Sequence, residues 1–455
     1  MEITQVKSKT IISSSHILKP SYHMNYGKKR IETAIYNKFP FSTLEEVCTS
    51  VFTGGIFKRV FVDDSKFGDP YISAQHMMNT NPLDVAKIIS KKYTPKQEEM
   101  SLKENQILVS CAGTIGNVRL ISKDLEGIIG SQDIIRVNPN NSKIPYGYLY
   151  AYLASKTAYN YMQSYIYGSV VPRIEPKTLS KLPIPLLSQQ KQIQIHQFIV
   201  EGSKFRQEAN ELMNTAQMKF DDLFEAKHCN IISFKQNSKN LKLFQHRFDA
   251  SYNIYKQELD AIIRESGIPY KNLGEHINKI FIPNRGKRIY VKEGLQYLST
   301  SDLSSFNPTG INKYLSLKMA GVDTLRVRKN WVLIARSGQE ILGSTYLIGE
   351  QLNNIGVNEH ALRVLVNENI APYIYAFLSS RFGRKYLRAG IFGSAILTIN
   401  EDYVKTLLLP ELDEENKELI TDLVIKSSAL FDQAIMKENQ AIELIEKEID
   451  LWQAS

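Results

Sequence analysis

From Ile195 onward, apolar and small residues return at alternating steps of three and four: Ile195, Phe198, Gly202, Phe205, Ala209, Leu212, Ala216 and Leu223, with Lys219 the one exception. That spacing is the seam of a coiled-coil helix. A second stripe follows Pro410, through Ile420, Val424, Ser427, Phe431, Ala434, Ile442, Ile445, Ile449 and Trp452, broken by Glu438. Asp413, Glu414 and Glu415 supply an N-cap and an acidic first turn for it. Each stripe predicts a helix of about 36–40 residues, about 55–60 Å long at ~1.5 Å per residue. A helix with one apolar face needs a partner. The two stripes match in length, so they are expected to pair antiparallel, with a domain at each end.

Ahead of each stripe the pattern is that of short strands separated by Gly, Asn and Pro clusters: "GDPYISAQHM", "NQILVSCAG", "IGNVRLIS" and "SQDIIRV", then "LQYLSTSDL", "NWVLIARSG", "STYLIG" and "HALRV". A tyrosine-rich helical patch and a Gly-Ser loop follow in both halves. The predicted fold is therefore α+β and mostly antiparallel in each half. The halves also keep one register: Gly168 meets Gly393, Leu182 meets Leu407 and Pro185 meets Pro410, each 393 − 168 = 225 positions apart. "KRVFV" at Lys58–Val62 answers "KRIYV" at Lys287–Val291, and "DIIRV" answers "HALRV". A period this long exceeds the ~20–50 residues of solenoid repeats, so this is a duplicated domain.

The chain of 455 residues is long enough for two such cores. Its 43% apolar and 23% charged content is that of a globular protein. No apolar run reaches the ~18 residues of a membrane span, and the expected location is cytoplasmic. The predicted boundaries are 1–187 for the first domain, 188–228 for its helix, 229–411 for the second domain and 412–455 for its helix. Cys48, Cys111 and Cys229 lie too far apart for a disulfide framework or a zinc site. A net charge of +9 favours a polyanionic partner.

Catalytic signatures are missing from the sequence. There is no GxxxxGK[ST] loop, no GxGxxG after a strand, no Asn-Pro-Pro-Tyr or Asp-Pro-Pro-Tyr and no HExxH. Gly113-Thr114-Ile115-Gly116 resembles a phosphate loop, but the second half reads Gly338-Gln339-Glu340-Ile341 in its place. His76 and His360 lie on polar stretches and could contact a ligand, with a solvated surface role favoured for each. A duplicated, basic chain without such motifs reads as a binding protein rather than an enzyme.

The order of these elements, "ILVSCAGTIGN" and "VLIARSGQEILG", "GSQDIIRV" and "VNEHALRV", then the Gly-Ser loop leading to "LSKLPIPLL" and "VKTLLLPEL", resembles the specificity subunits of type I restriction-modification systems. The resemblance covers essentially the whole chain. It implies two tandem, pseudo-symmetric target-recognition domains joined by two long helices in an antiparallel coiled coil. It further implies that each domain reads half of a bipartite site in double-stranded DNA, and that this chain is non-catalytic and binds no cofactor. S-adenosylmethionine would belong to two methyltransferase subunits, and ATP and Mg to restriction and translocase subunits. Two features depart from the family: its Glu-Gln pair stands here as Gln189-Gln190 and Glu414-Glu415, and the Arg-Phe-Asp-Ala before Tyr252 has no counterpart in the first half.

Sequence readout needs side chains aimed at base edges and cations at phosphates. The candidates are Lys58, Arg59, Gln75, Ser110, Thr114 and Arg173 in the first half, with Arg285, Lys287, Arg288, Asp302, Arg336, Gln339 and Ser394 in the second. Three other readings remain: a recognition subunit of a type IIB-like system, a stand-alone DNA-acting enzyme, and a structural scaffold.

Overall fold

The computed structural model describes residues 6, 8–13, 18–168, 171–224, 250–338 and 340–454. Cys229, Ser169 and Gln339 lie outside them. The chain forms two compact units, 1–207 with 434–455, and 208–433. The long helices Gln189–Phe224 and Glu414–Ala454 each contribute to both.

Unit 1 holds a four-stranded sheet in the order Cys48–Thr53, Ile134–Pro139, Ile107–Ser110, Val118–Leu120. Ile107 to Ser110 is buried at every position, which is why the run reads as continuously apolar instead of alternating. A three-stranded sheet places Gly68–Ile72 between Lys87–Ser90 and Ile129–Gly130, and the last pairing is parallel. Phe41–Thr43 pairs with Pro183–Pro185, just before the long helix begins. Unit 2 repeats this plan. Its first sheet runs Ile277–Phe281, Ala361–Val366, Val332–Ala335, Thr345–Leu347, its second contains the parallel pair Leu295–Leu298 with Gly356–Val357, and Tyr270–Asn272 pairs with Leu408–Pro410. Among the described residues the sheets are thus antiparallel apart from one pairing per unit.

The duplication extends to single hydrogen bonds. Arg136 is fully buried and donates to the carbonyls of Met100, Gly130, Ser131 and Ile134. Arg363 is equally buried and donates to those of Leu325, Val357, Asn358 and Ala361. Neither guanidinium has a carboxylate among these partners, and burial pulls each pKa down to about 10. Both arginines tie the central sheet to the smaller one through backbone carbonyls, so the charge is spread over oriented dipoles. Tyr148 Oη reaches Pro185 O at 2.6 Å and Tyr373 Oη reaches Pro410 O at 2.8 Å, anchoring both strand-to-helix turns. Ser155 and Ser380 cap the helices Lys156–Ser164 and Arg381–Ala389 in the same way.

The long helices pair antiparallel within each unit. In unit 1, Lys191 meets Glu448 at 2.5 Å, Glu201 meets Lys437 at 2.6 Å and Arg206 meets Glu438 at 2.9 Å. In unit 2, Ser427 Oγ donates to Ala209 O at 2.8 Å. Gly202 lets the helices approach closely, since a Cβ there would lie 3.2 Å from Ala434 O. The buried seam differs from the predicted stripe. It runs through Ile195, Ile199, Gly202, Arg206, Ala209, Met213, Ala216, Phe220 and Phe224, whereas Phe198, Phe205 and Leu212 sit partly exposed beside it. Choosing the more apolar neighbour at each step missed Arg206, and the apparent exception at Lys219 disappears because Phe220 fills that place. Glu438 lies inside the seam, only 5% exposed, instead of breaking it.

Candidate nucleic-acid interface

In each unit three segments meet at the end of the central strand, and the meeting is built by the same backbone bonds. Cys111 N donates to Asp133 O at 3.0 Å and Ile174 N to Cys111 O at 3.0 Å. In unit 2, Arg336 N donates to His360 O at 2.9 Å and Ile399 N to Arg336 O at 2.9 Å. A tight hairpin closes the junction, with Tyr167 paired to Arg173 and Phe392 to Thr398. Gly168 and Gly393 open these hairpins at φ of 87° and 102°, in the left-handed region where a Cβ is costly. A constant scaffold therefore carries different side chains at matching places.

The candidates fall into three groups. Lys58, Arg59, Gln75, Thr114, Arg173, Arg285, Lys287 and Ser394 are exposed on loops. Arg59 also donates to Tyr71 Oη at 3.2 Å, as Arg288 does to Tyr297 Oη at 3.3 Å. Arg288 is half-buried and bonded to Glu359 at 2.9 Å, so it is tethered while Lys287 beside it is exposed. Arg336 is half-buried at the junction. Burial lowers its pKa, and Arg285 nearby acts in the same direction.

Two candidates turn out to build the loops. Ser110 is completely buried, and its Oγ donates to Thr114 O and accepts from Asn117 N at 3.0 Å. It shapes the loop that presents Thr114 and cannot itself face a ligand. Asp302 accepts from Ser299 N at 2.7 Å in a capping box at the start of Thr300–Leu303. Gln339 lies outside the described residues. Cys111, the counterpart of Arg336, is buried and its thiol is pushed up to about 11, first by burial and then by Asp133. It is inert packing.

Asp133 is not among the sequence candidates, and His360 is there a possible ligand contact with a surface role favoured. Both occupy the same junction, Asp133 at 3.7 Å from Arg173 and His360 Nδ1 at 2.6 Å from Ser337 Oγ. The signal was available in the first letters of "DIIRV" and "HALRV", which differ where the rest of the strand is alike. Among the described residues no group of His, Cys, Asp and Glu is placed to hold a metal ion. No helix among them is long and apolar enough to cross a membrane.

Residues 36–217 match the family described as Type I restriction modification DNA specificity domain. Among solved structures the chain is similar to a type I restriction-modification system S subunit from M. genitalium, at 15% identity over 92% of this chain and 94% of that one, with a TM-score of 0.32. It is also similar to the HsdS subunit from Thermoanaerobacter tengcongensis, at 15% identity over 90% and 96% of the two chains, with a TM-score of 0.28. No curated protein matches the chain.

Proposed function

We infer, from a first half that belongs to the type I restriction modification DNA specificity domain family and a second half that repeats its backbone, that this chain is the DNA sequence-recognition subunit of a type I restriction-modification system. Each unit reads one half of a bipartite target. The observation that carries this reading is the junction, where the hydrogen-bond frame is the same in both units while Cys111, Asp133 and Arg173 are exchanged for Arg336, His360 and Thr398. A protein reading two different half-sites needs a constant frame and variable tips.

Phosphate contact falls to the exposed cations Lys58, Arg59, Arg285 and Lys287, and base contact to Thr114, Arg173, Arg336 and Ser394. The paired helices act as the ruler between half-sites, and methyl transfer, translocation and cleavage belong to partner subunits that carry S-adenosylmethionine, ATP and Mg. Methylome sequencing of a host expressing the chain with its neighbouring genes tests this. The expected result is one methylated motif of two specified blocks around an unspecified spacer, absent when the partner methyltransferase is deleted. Methyl transfer by the purified chain alone would overturn it. Deleting one heptad from both helices is expected to shorten the spacer and leave both blocks intact.

A further inference from the structure

The junction of unit 1 contains an acid that phosphate binding cannot explain. Among the described residues Asp133 Oδ1 is shielded from solvent and makes no hydrogen bond, and its contact with Arg173 Nη2 is a loose ion pair at 3.7 Å, beyond hydrogen-bond distance. Among the described residues its other oxygen accepts one long hydrogen bond, from Gln132 Nε2 at 3.4 Å. The Arg173 side chain is 48% exposed and rooted in the hairpin, so it can turn outward without disturbing the Tyr167 pairing, which uses only backbone atoms. A carboxylate near DNA is repelled by phosphates, and its compensation is an amino group on a base edge, cytosine N4 or adenine N6 in the major groove. In unit 2 the same backbone position bears His360, held by Ser337 Oγ, and the guanidinium arrives from the strand end, at Arg336, instead of from the hairpin.

Resting on the recognition function above, we propose that Asp133 is a specificity-determining residue of unit 1 that accepts a hydrogen bond from an exocyclic amino group of its half-site, with Arg173 reading the neighbouring guanine. His360 and Arg336 form the corresponding pair in unit 2. Each unit then has one arginine and one modulating side chain at one junction, and the two half-sites differ because the arginine enters from different segments. Removing Asp133 would also remove a repulsion, so affinity for random DNA should not fall.

The test is selection of bound duplexes from a randomised library by the full chain, as wild type, Asp133→Asn and Arg173→Gln, with folding checked by thermal melting. Asp133→Asn is nearly isosteric and the Arg173 side chain is about half exposed, so at least one variant should report on a folded protein. The expected result is a tenfold to hundredfold loss of base preference, roughly the range for one good base contact, confined to one or two adjacent positions of a single half-site. Both variants should affect the same half-site, while binding to random duplex stays equal or rises for Asp133→Asn. An unchanged motif in both variants would overturn the proposal and leave the recognition function standing. A wild-type chain that selects no motif at all would overturn both.

Discussion

In unit 1 the helix seam encloses a carboxylate. Glu438 accepts from Tyr150 Oη at 2.7 Å and from Arg206 Nη2 at 2.9 Å, and all three are buried. In unit 2 the positions 225 residues away hold Tyr375, Met213 and Phe431, with Met213 buried in the unit's apolar core. The same set of positions thus holds a charged triad in unit 1 and a largely apolar set in unit 2, where the helices are also joined by Ser427 Oγ to Ala209 O. A buried ion pair adds little net stability over an apolar replacement, but losing one partner is costly. Sliding Glu414–Ala454 by a heptad would strip Glu438 of both donors, and sliding Gln189–Phe224 would remove Arg206, whereas Met213 could find another apolar neighbour. The polar seam therefore fixes register and partner, and the apolar seam supplies burial.

The comparison breaks most sharply at the elements the units share. Arg136→Met leaves four buried carbonyls short of a donor and Arg363→Met three buried and one half-buried, at about 1–3 kcal/mol for each buried one before relaxation. Each is expected to destabilise its own unit by several kcal/mol, read by native-state hydrogen exchange as faster opening in that unit's strands. Equal loss in both units would contradict independent cores.

Glu438→Ala should come next, at about 3–5 kcal/mol, because it leaves Arg206 buried and uncompensated. The double change Arg206→Phe with Glu438→Met copies the seam of unit 2 and is expected to recover most of that loss. If the double variant is as unstable as the single one, the triad supports unit 1 in some way other than pairing. Smaller still is Lys287→Ala, expected to weaken binding to all duplexes alike and to flatten the salt dependence by roughly one phosphate's worth. A sequence-selective loss there would move Lys287 from the phosphates to the bases.

Much of this was legible in the sequence because duplication prints the same constraint twice. "DIIRV" and "HALRV" marked the strands that carry Arg136 and Arg363, and the Pro-rich turns marked the sites that Tyr148 and Tyr373 anchor. The seam register was not legible. Phe205 looks like a core residue and Arg206 does not, yet Glu438, 232 positions away, reverses the assignment. For the same reason Ser110 and Asp302 read as contacts in the sequence: their polarity is visible in one dimension, but the backbone N–H groups that use it are not. Lys58, Lys287 and Arg336 are nominated without such partners, since the repeat itself separates what is shared from what is changed.

The central claim is that the shared frame presents different base readers, and Arg336 tests it most directly, since Cys111 at its counterpart cannot act as one. The measurement is the affinity of Arg336→Ala for the cognate duplex, for duplexes altered in one half-site or the other, and for random duplex, each across a range of salt. The account predicts a loss of about 1–3 kcal/mol of discrimination in the second half-site alone, with the first half-site, the random affinity and the salt slope unchanged. An equal fall for cognate and random duplexes with a shallower salt slope would contradict it and place Arg336 among the phosphate contacts.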